Sequence, residues 1–170
     1  MTDGDSGKRE PSDQRERDGR STPRSTRSGN GKRRARVALR LLIGAILAVT
    51  AAGKLLDVSG FARVLDTYDA FPRGLLLPIA VVVPLAELVL AIWLFSGRRP
   101  FPAAVWALGM HLVYAGWSAA SVLRGLKLAN CGCFGVFWPR PLGWSTVAED
   151  IAVAAACGAL AVMSPRGRPA

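Results

Sequence analysis

Residues 75–97 read LLLPIAVVVPLAELVLAIWLFSG, an apolar run of 23 residues in which Glu87 is the only ionisable side chain. A helix rises about 1.5 Å per residue, so a run of this length crosses a hydrocarbon core of roughly 30 Å. Pro78 and Pro84 fit this assignment, because lipid-embedded helices tolerate proline where neighbouring helices satisfy the freed carbonyl groups. The stretch therefore predicts a transmembrane helix and identifies lipid as the solvent of the surrounding domain.

Three further apolar segments flank this stretch, and each is long enough to cross a bilayer as a helix. Together the four segments predict an all-α fold, an integral membrane four-helix bundle that occupies residues 37–163. The predicted spans are residues 37–56, 75–97, 101–123 and 146–163. Between the first two, residues 57–74 carry apolar side chains at helical spacing. This spacing predicts a short amphipathic helix at the membrane interface, ending before Pro72.

The segment before the first span has a different composition. Residues 1–36 contain eleven Lys and Arg side chains, six Asp and Glu side chains and no apolar run. Such a segment cannot bury enough surface to offset its loss of conformational entropy, so we expect a disordered basic tail. The net charge of +10 is compatible with nucleic acid binding. No aromatic residue interleaves with the basic cluster of residues 32–36, however, so we predict a lipid bilayer but no nucleic acid as a partner.

The distribution of basic residues predicts the orientation in the membrane. With the predicted spans, fifteen Lys and Arg residues lie on the side of the N-terminal tail and five lie on the other side. The positive-inside rule then makes the basic tail of residues 1–36 and the short tail of residues 164–170 cytoplasmic. We therefore expect a multi-pass protein of a bacterial plasma membrane, with the loop between the third and fourth spans outside the cytoplasm.

That external loop carries the main candidate for chemistry. Residues 130–135 read NCGCFG, which places two thiols one residue apart. A disulfide between Cys131 and Cys133 would close a small strained ring that is easily reduced. Three neighbours are expected to support the pair by turn freedom, shielding and close backbone approach: Gly132, Phe134 and Gly135. The alternatives are two unpaired small residues or a purely structural bridge.

The spans also carry ionisable groups, which are costly in a membrane and therefore face the bundle interior. Glu87 in the second span and His111 in the third have similar depths, so we expect them to be partners. Tyr114 extends a polar stripe from His111 toward the cysteine loop. This arrangement suits a proton path, a polar pocket for a molecule such as a quinone, or a structural hydrogen-bonded pair. Lys54 is expected to form a rim salt bridge with the acidic residues 149–150.

Three motifs of the chain recur together in one known family. They are AGKL at residues 52–55, Pro84-x-x-Glu87-Leu88, and CGCFG at residues 131–135. In these motifs the chain resembles the methylamine-utilisation MauE proteins, within the DoxX-like group of four-helix membrane proteins. The resemblance covers about residues 37–163 and implies a redox-associated role with a thioredoxin-like partner, in the maturation of an exported dehydrogenase subunit. It implies that Cys131 and Cys133 are the thiol pair and that Lys54 and Glu87 are intramembrane polar positions.

The layout is also similar to that of vitamin K epoxide reductase. The chain has three cysteines, and it lacks that family's Cys-x-x-Cys motif and second cysteine pair. This difference argues against quinone-coupled oxidation by this chain alone.

Three functions are compatible with these patterns. The first is thiol–disulfide exchange with an extracytoplasmic thioredoxin-like protein, and the second is binding of a quinone or another small molecule at Glu87 and His111. The third is a non-catalytic membrane scaffold. No metal site is expected, because His111 is the only histidine and two thiolates supply half of a tetrahedral site. The sequence leaves open whether the chain is an enzyme, which partner it has and in which direction electrons flow.

Overall fold

Five helices form in the part of the chain that the structure, a computed structural model, describes, namely Thr2 and residues 26–165. They are α1 (Thr26–Leu55), α2 (Val58–Asp66), α3 (Arg73–Ser96), α4 (Pro100–Leu123) and α5 (Trp144–Met163). These described residues contain no strand, so the predicted all-α fold is confirmed.

The first helix begins earlier than the apolar pattern indicates. Residues 26–36 belong to α1, which corrects the predicted boundary of the disordered tail. Residues 32–36 consist of Lys, Arg and Ala, which have high helix propensities, and a helix nucleated in the apolar span extends through them at one hydrogen bond per residue. The rest of the two predicted tails, Met1 with residues 3–25 and residues 166–170, lies outside the described residues.

Three of the described helices are long and apolar enough to cross a bilayer: Asn30–Leu55, Arg73–Ser96 and Trp144–Met163. The helix α4 has the same length as α3, 24 residues. Its outer side chains Trp106, Leu112 and Val113 are apolar and exposed, whereas His111 is buried and lowers the hydropathy of the helix. A fourth span in α4 therefore stays a prediction, as does the cytoplasmic location of both termini.

The bundle consists of two helix pairs, because α1 packs mainly on α3 and α4 packs mainly on α5. Near the turn between α3 and α4, the two pairs meet in an apolar core. Ala103, Ala104 and Ala107 of α4 are fully buried there, and small residues let helix backbones approach closely. Large apolar side chains of the other three helices fill the same core: Ile43, Leu47, Leu94 and Leu160.

The opposite end of the bundle is covered by α2 and by the loop of residues 124–143. Asp57 caps α2 by accepting a hydrogen bond from the Gly60 N–H at 2.7 Å. The helix buries Phe61 against the bundle and ends at Asp66, so the predicted short helix before Pro72 is confirmed. At this end α2 and the loop lie over the bundle, and the helices do not pack as closely as they do at the other end. A cavity therefore remains beneath α2 and the loop.

Candidate functional site

The two arms of the cysteine loop are joined by backbone hydrogen bonds. The Cys131 N–H donates to the Arg140 carbonyl at 2.7 Å, and the Leu142 N–H donates to the Leu128 carbonyl at 3.0 Å. From the segment after α2, the Tyr68 hydroxyl donates to the Cys131 carbonyl at 2.8 Å. Burial raises the pKa of Tyr68, so this hydroxyl remains protonated and available as a donor. These bonds fix Cys131 at the top of the bundle.

A tight turn brings the two sulfur atoms together. Gly132 has a φ of 78°, in the left-handed region that favours glycine. The Asn130 side chain accepts from the Gly132 N–H at 2.9 Å and donates to the Gly135 carbonyl at 3.0 Å. Cys131 and Cys133 are free thiols whose Sγ atoms lie 2.9 Å apart, in hydrogen-bond contact. The predicted pair is therefore close enough for the two thiols to act together.

Gly135 and Phe134 dock this turn onto the end of α1. A Cβ atom on Gly135 would overlap the backbone of Gly53, and a Cβ atom on Gly53 would overlap the Phe134 carbonyl. The Phe134 ring lies beside Trp138, with 6.2 Å between the ring centroids. The close backbone approach expected at Gly135 is thus found, and Gly53 is the residue that it approaches.

The two thiols differ in acidity. The hydrogen bond with Cys133 lowers the pKa of Cys131 to about 6, burial opposes this shift, and the charge of Arg140 adds to it. The same hydrogen bond and burial raise the pKa of Cys133. Near neutral pH the pair therefore shares one proton, and Cys131 carries the thiolate.

A buried ion pair lies below the cysteine loop. Lys54 Nζ donates to Glu87 Oε1 at 2.5 Å, and the Tyr114 hydroxyl donates to the same oxygen at 2.7 Å. The Lys54 ammonium also faces the rings of Phe61 and Tyr114, at 5.7 and 5.5 Å from their centroids. Glu87 is only 1% exposed, so its charge is compensated by these partners and not by water.

The partners of the ionisable residues differ from those expected. His111 faces Asp150 of α5, with Nδ1 and Oδ1 3.6 Å apart, so the expected contact between Glu87 and His111 is wrong. The expected rim bridge from Lys54 to residues 149–150 is also wrong. Glu149 instead forms two hydrogen bonds with Arg140, at 2.5 and 2.6 Å, and thereby ties the cysteine loop to α5.

One cavity of about 270 Å³ connects the two cysteines, the Lys54–Glu87 pair and the His111–Asp150 pair. Its upper wall contains both cysteines and Phe134, while its floor and sides contain the two ionisable pairs. The remaining lining is mostly apolar and comes from every helix of the bundle. The predicted site residues that line the cavity are Lys54, Glu87, His111, Tyr114, Cys131, Gly132, Cys133 and Phe134. Gly135 lies behind the turn, against α1.

Tyr68 and Asp150 also line the cavity, although the sequence patterns gave neither of them this position. For Asp150 a signal was present. Thr146, Asp150, Val153 and Cys157 follow each other at spacings of four, three and four, which places Asp150 on the inward face of α5.

For Tyr68 the signal was partial. Phe61, Leu65 and Tyr68 follow each other at spacings of four and three, and all three line the cavity. The helix α2 ends at Asp66, however, so the position of Tyr68 depends on how the following segment folds back over the bundle.

Comparison with known proteins agrees with this architecture. The family described as Methylamine utilisation protein MauE matches the chain over residues 32–163. The chain belongs to the MauE family. Methylamine utilization protein MauE of Paracoccus denitrificans is 32% identical over 133 residues, covering 78% of this chain and 72% of that protein. The protein of the same name from Paracoccus versutus is 31% identical over 132 residues, covering 78% and 71%. No solved structure matches the chain.

Membership of the MauE family, together with three helices able to cross a bilayer, identifies a membrane protein. The match begins at Lys32, within α1, and ends at Met163, the last residue of α5. It therefore includes the cysteine loop, the Lys54–Glu87 pair and the cavity between them.

Proposed function

We propose that this MauE-family protein exchanges thiols and disulfides with an extracytoplasmic thioredoxin-like protein during the maturation of exported proteins. The observation that carries the proposal is the Cys131–Cys133 pair, two free thiols with sulfurs 2.9 Å apart at the covered end of the bundle. The two relatives are named for methylamine utilisation. We therefore take an exported subunit of methylamine dehydrogenase type as the first substrate to test.

Exposure and acidity divide the roles of the two cysteines. Cys133 is partly exposed, whereas Cys131 is 9% exposed. In the oxidised pair, a partner thiolate attacks Cys133 Sγ, the bond between the two sulfurs breaks, and Cys131 leaves as a thiolate. The lowered pKa of Cys131 makes it a good leaving group. The partner's second thiolate then attacks the partner sulfur of the mixed disulfide, and Cys133 leaves and takes up a proton.

Two electrons pass from the partner to this protein in that sequence of steps, and the partner gains a disulfide. The reverse sequence reduces the partner. The proposed setting is a bacterial plasma membrane crossed four times, with both termini in the cytoplasm. The cysteine pair then faces the compartment in which disulfides form and persist.

Trapping of mixed disulfides tests the proposal. In a Cys157→Ala background, Cys131→Ser and Cys133→Ser are each expressed together with the thioredoxin-like partner, and cells are quenched in acid. In the reverse sequence Cys133 attacks the oxidised partner and Cys131 then attacks Cys133 Sγ to release it, so Cys131→Ser should accumulate the mixed disulfide of Cys133 with the partner. Cys133→Ser should accumulate little. Non-reducing electrophoresis and mass spectrometry identify the linked cysteines.

The scaffold alternative gives a different result in the same experiment. If the cysteines only staple the loop, both variants lower stability and neither forms a mixed disulfide with any exported protein. That outcome would remove the exchange proposal. Serine is close to cysteine in size, so loss of trapping would not reflect a change of packing.

A further inference from the structure

We propose that the cavity binds a quinone, and that this quinone accepts the two electrons of the reduced Cys131–Cys133 pair. This inference rests on the proposed function, because it supplies the oxidant that a disulfide donor needs after each cycle.

The position of the cavity favours a lipid-soluble ligand. Its volume of about 270 Å³ lies close to the lower end, roughly 300 Å³, of pockets that hold small molecules. Val113 of α4 lines it and is nevertheless 68% exposed on the outside of the bundle. The cavity therefore reaches the outer surface of the bundle near the middle of α4, the surface that faces lipid in the predicted four-span arrangement. Aromatic and branched side chains, including Phe61, Val83 and Trp117, form walls suited to a planar ring.

The polar atoms in the cavity favour a ligand with oxygens on its ring. Glu87 Oε2, both ring nitrogens of His111 and Asp150 Oδ2 are buried without a hydrogen-bond partner among the described residues. Native proteins leave very few buried polar atoms unpaired, and a bound molecule with ring oxygens would supply partners for these atoms. A quinone carbonyl accepts a hydrogen bond from His111 or Lys54, and a quinol hydroxyl donates to Glu87 or Asp150. A plain hydrocarbon or lipid tail satisfies none of these atoms.

The redox step balances when water supplies one proton. The two sulfurs of Cys131 and Cys133 form a disulfide, two electrons and the one proton of the reduced pair pass to the quinone, and a second proton from water completes the quinol. Both sulfurs line the same cavity as the unpaired polar atoms. Summed with the exchange reaction, a partner dithiol and a quinone become a partner disulfide and a quinol.

In this scheme the lack of a second cysteine pair no longer argues against quinone-coupled oxidation by this chain. A second pair is needed when the quinone site and the partner's docking site are far apart. Here Cys133 is partly exposed and both cysteines border the cavity, so one pair reaches both reactants.

The test uses the reduced full-length protein in lipid nanodiscs under anaerobic conditions, with decyl-ubiquinone as the probe. Loss of quinone absorbance and loss of free thiols are followed together. One quinol should form for each cysteine pair. A variant in which both Cys131 and Cys133 are serine should bind the quinone, detected as quenching of tryptophan fluorescence, but should not reduce it.

A matched pair of substitutions locates the site. Val83 lines the cavity, whereas its neighbour Val82 is 63% exposed on the outer surface of α3. Val83→Trp fills the cavity and should weaken quinone binding about tenfold or more, as overpacking of a filled site does. Val82→Trp should bind as the unchanged protein does. Trapping of the partner in a Cys131→Ser background shows whether each variant still folds.

Three results would overturn the inference. Decylbenzene has the tail but no carbonyl oxygens, and binding as tight as that of the quinone would show that the cavity accepts any apolar molecule. Equal weakening by both tryptophan variants places the quinone elsewhere. Normal partner trapping without quinone binding or reduction removes the quinone and keeps the exchange function. Quinone reduction without any mixed disulfide would instead keep the quinone site and remove the partner exchange.

Discussion

At the scale of single residues, the acidity of Cys131 decides how the pair reacts. Its pKa is lowered to about 6 because the Cys133 thiol donates a hydrogen bond to the thiolate. The group is therefore a thiolate above pH 6 and loses reactivity as the pH falls through that value. In the reduced protein with Cys157→Ala, the rate of alkylation by iodoacetamide should be half-maximal near pH 6. Mass spectrometry should find the label on Cys131.

Removal of the hydrogen-bond donor should reverse this shift. In Cys133→Ala the half-maximal rate should move up toward the ordinary thiol pKa of about 8.5. Alanine is the appropriate replacement, because a serine hydroxyl would still donate to the thiolate. A midpoint that stays near pH 6 in this variant would assign the acidity of Cys131 to Arg140 instead.

The interaction partners of the buried ionisable residues could not be predicted from the sequence. Apolar runs give the depth of Lys54, Glu87 and His111 to within a few residues, and all three do line one cavity. They do not give the rotation of each helix or the helix that it packs against. Lys54 meets Glu87 because α1 packs mainly on α3, and His111 meets Asp150 because α4 packs mainly on α5.

At the scale of elements, the contact between the cysteine loop and α1 depends on two glycines. Gly125 and Gly135 have similar left-handed φ values, 77° and 71°, so alanine at either position adds a strain of about 1–2 kcal/mol. Around Gly125 the space is open, whereas Gly135 touches the backbone of Gly53. Gly135→Ala should therefore lower the free energy of unfolding by roughly 1–3 kcal/mol more than Gly125→Ala.

Thermal unfolding in detergent compares these two variants directly. In Gly135→Ala the displaced loop should also separate the two thiols and slow the alkylation of Cys131 at pH 7. In Gly125→Ala this rate should be unchanged. Equal stability and equal alkylation rates in the two variants would show that the loop does not depend on its contact with Gly53.

The helices themselves were largely predictable, since each apolar run of the sequence forms a helix in the structure. The start of α1 was not predictable from hydropathy, because residues 26–36 are polar and continue a helix that the span nucleates. The place of α2 was only partly predictable. Its spacing indicates a helix, but the burial of Phe61 depends on the cavity that residues of the four other helices line.

At the scale of the whole molecule, the bundle divides into a closed half and an open half. Fully buried alanines and leucines close the half near the turn between α3 and α4. The other half contains the cavity, two buried ionisable pairs and the cysteine loop. Ionisable groups inside a membrane are costly and are placed where function needs them. The closed half thus acts as a rigid base that holds the candidate site at one end.

A last prediction concerns which half of the bundle faces the cytoplasm, and two single-cysteine variants can test it. Ser59 in α2 is exposed at the end of the bundle that carries the cysteine loop. Ser96 is exposed at the closed end of the bundle. In a background without Cys131, Cys133 and Cys157, each serine is replaced by cysteine. The excess of basic residues at the closed end predicts that this end is cytoplasmic.

A membrane-impermeant maleimide should therefore label Ser59→Cys in intact cells. Labelling of Ser96→Cys should require disruption of the membrane. The reverse pattern would place the cysteine loop in the cytoplasm, where thiols are kept reduced and an extracytoplasmic partner cannot reach it. Labelling of both variants in intact cells would mean that α3, which runs between the two positions, does not cross the membrane.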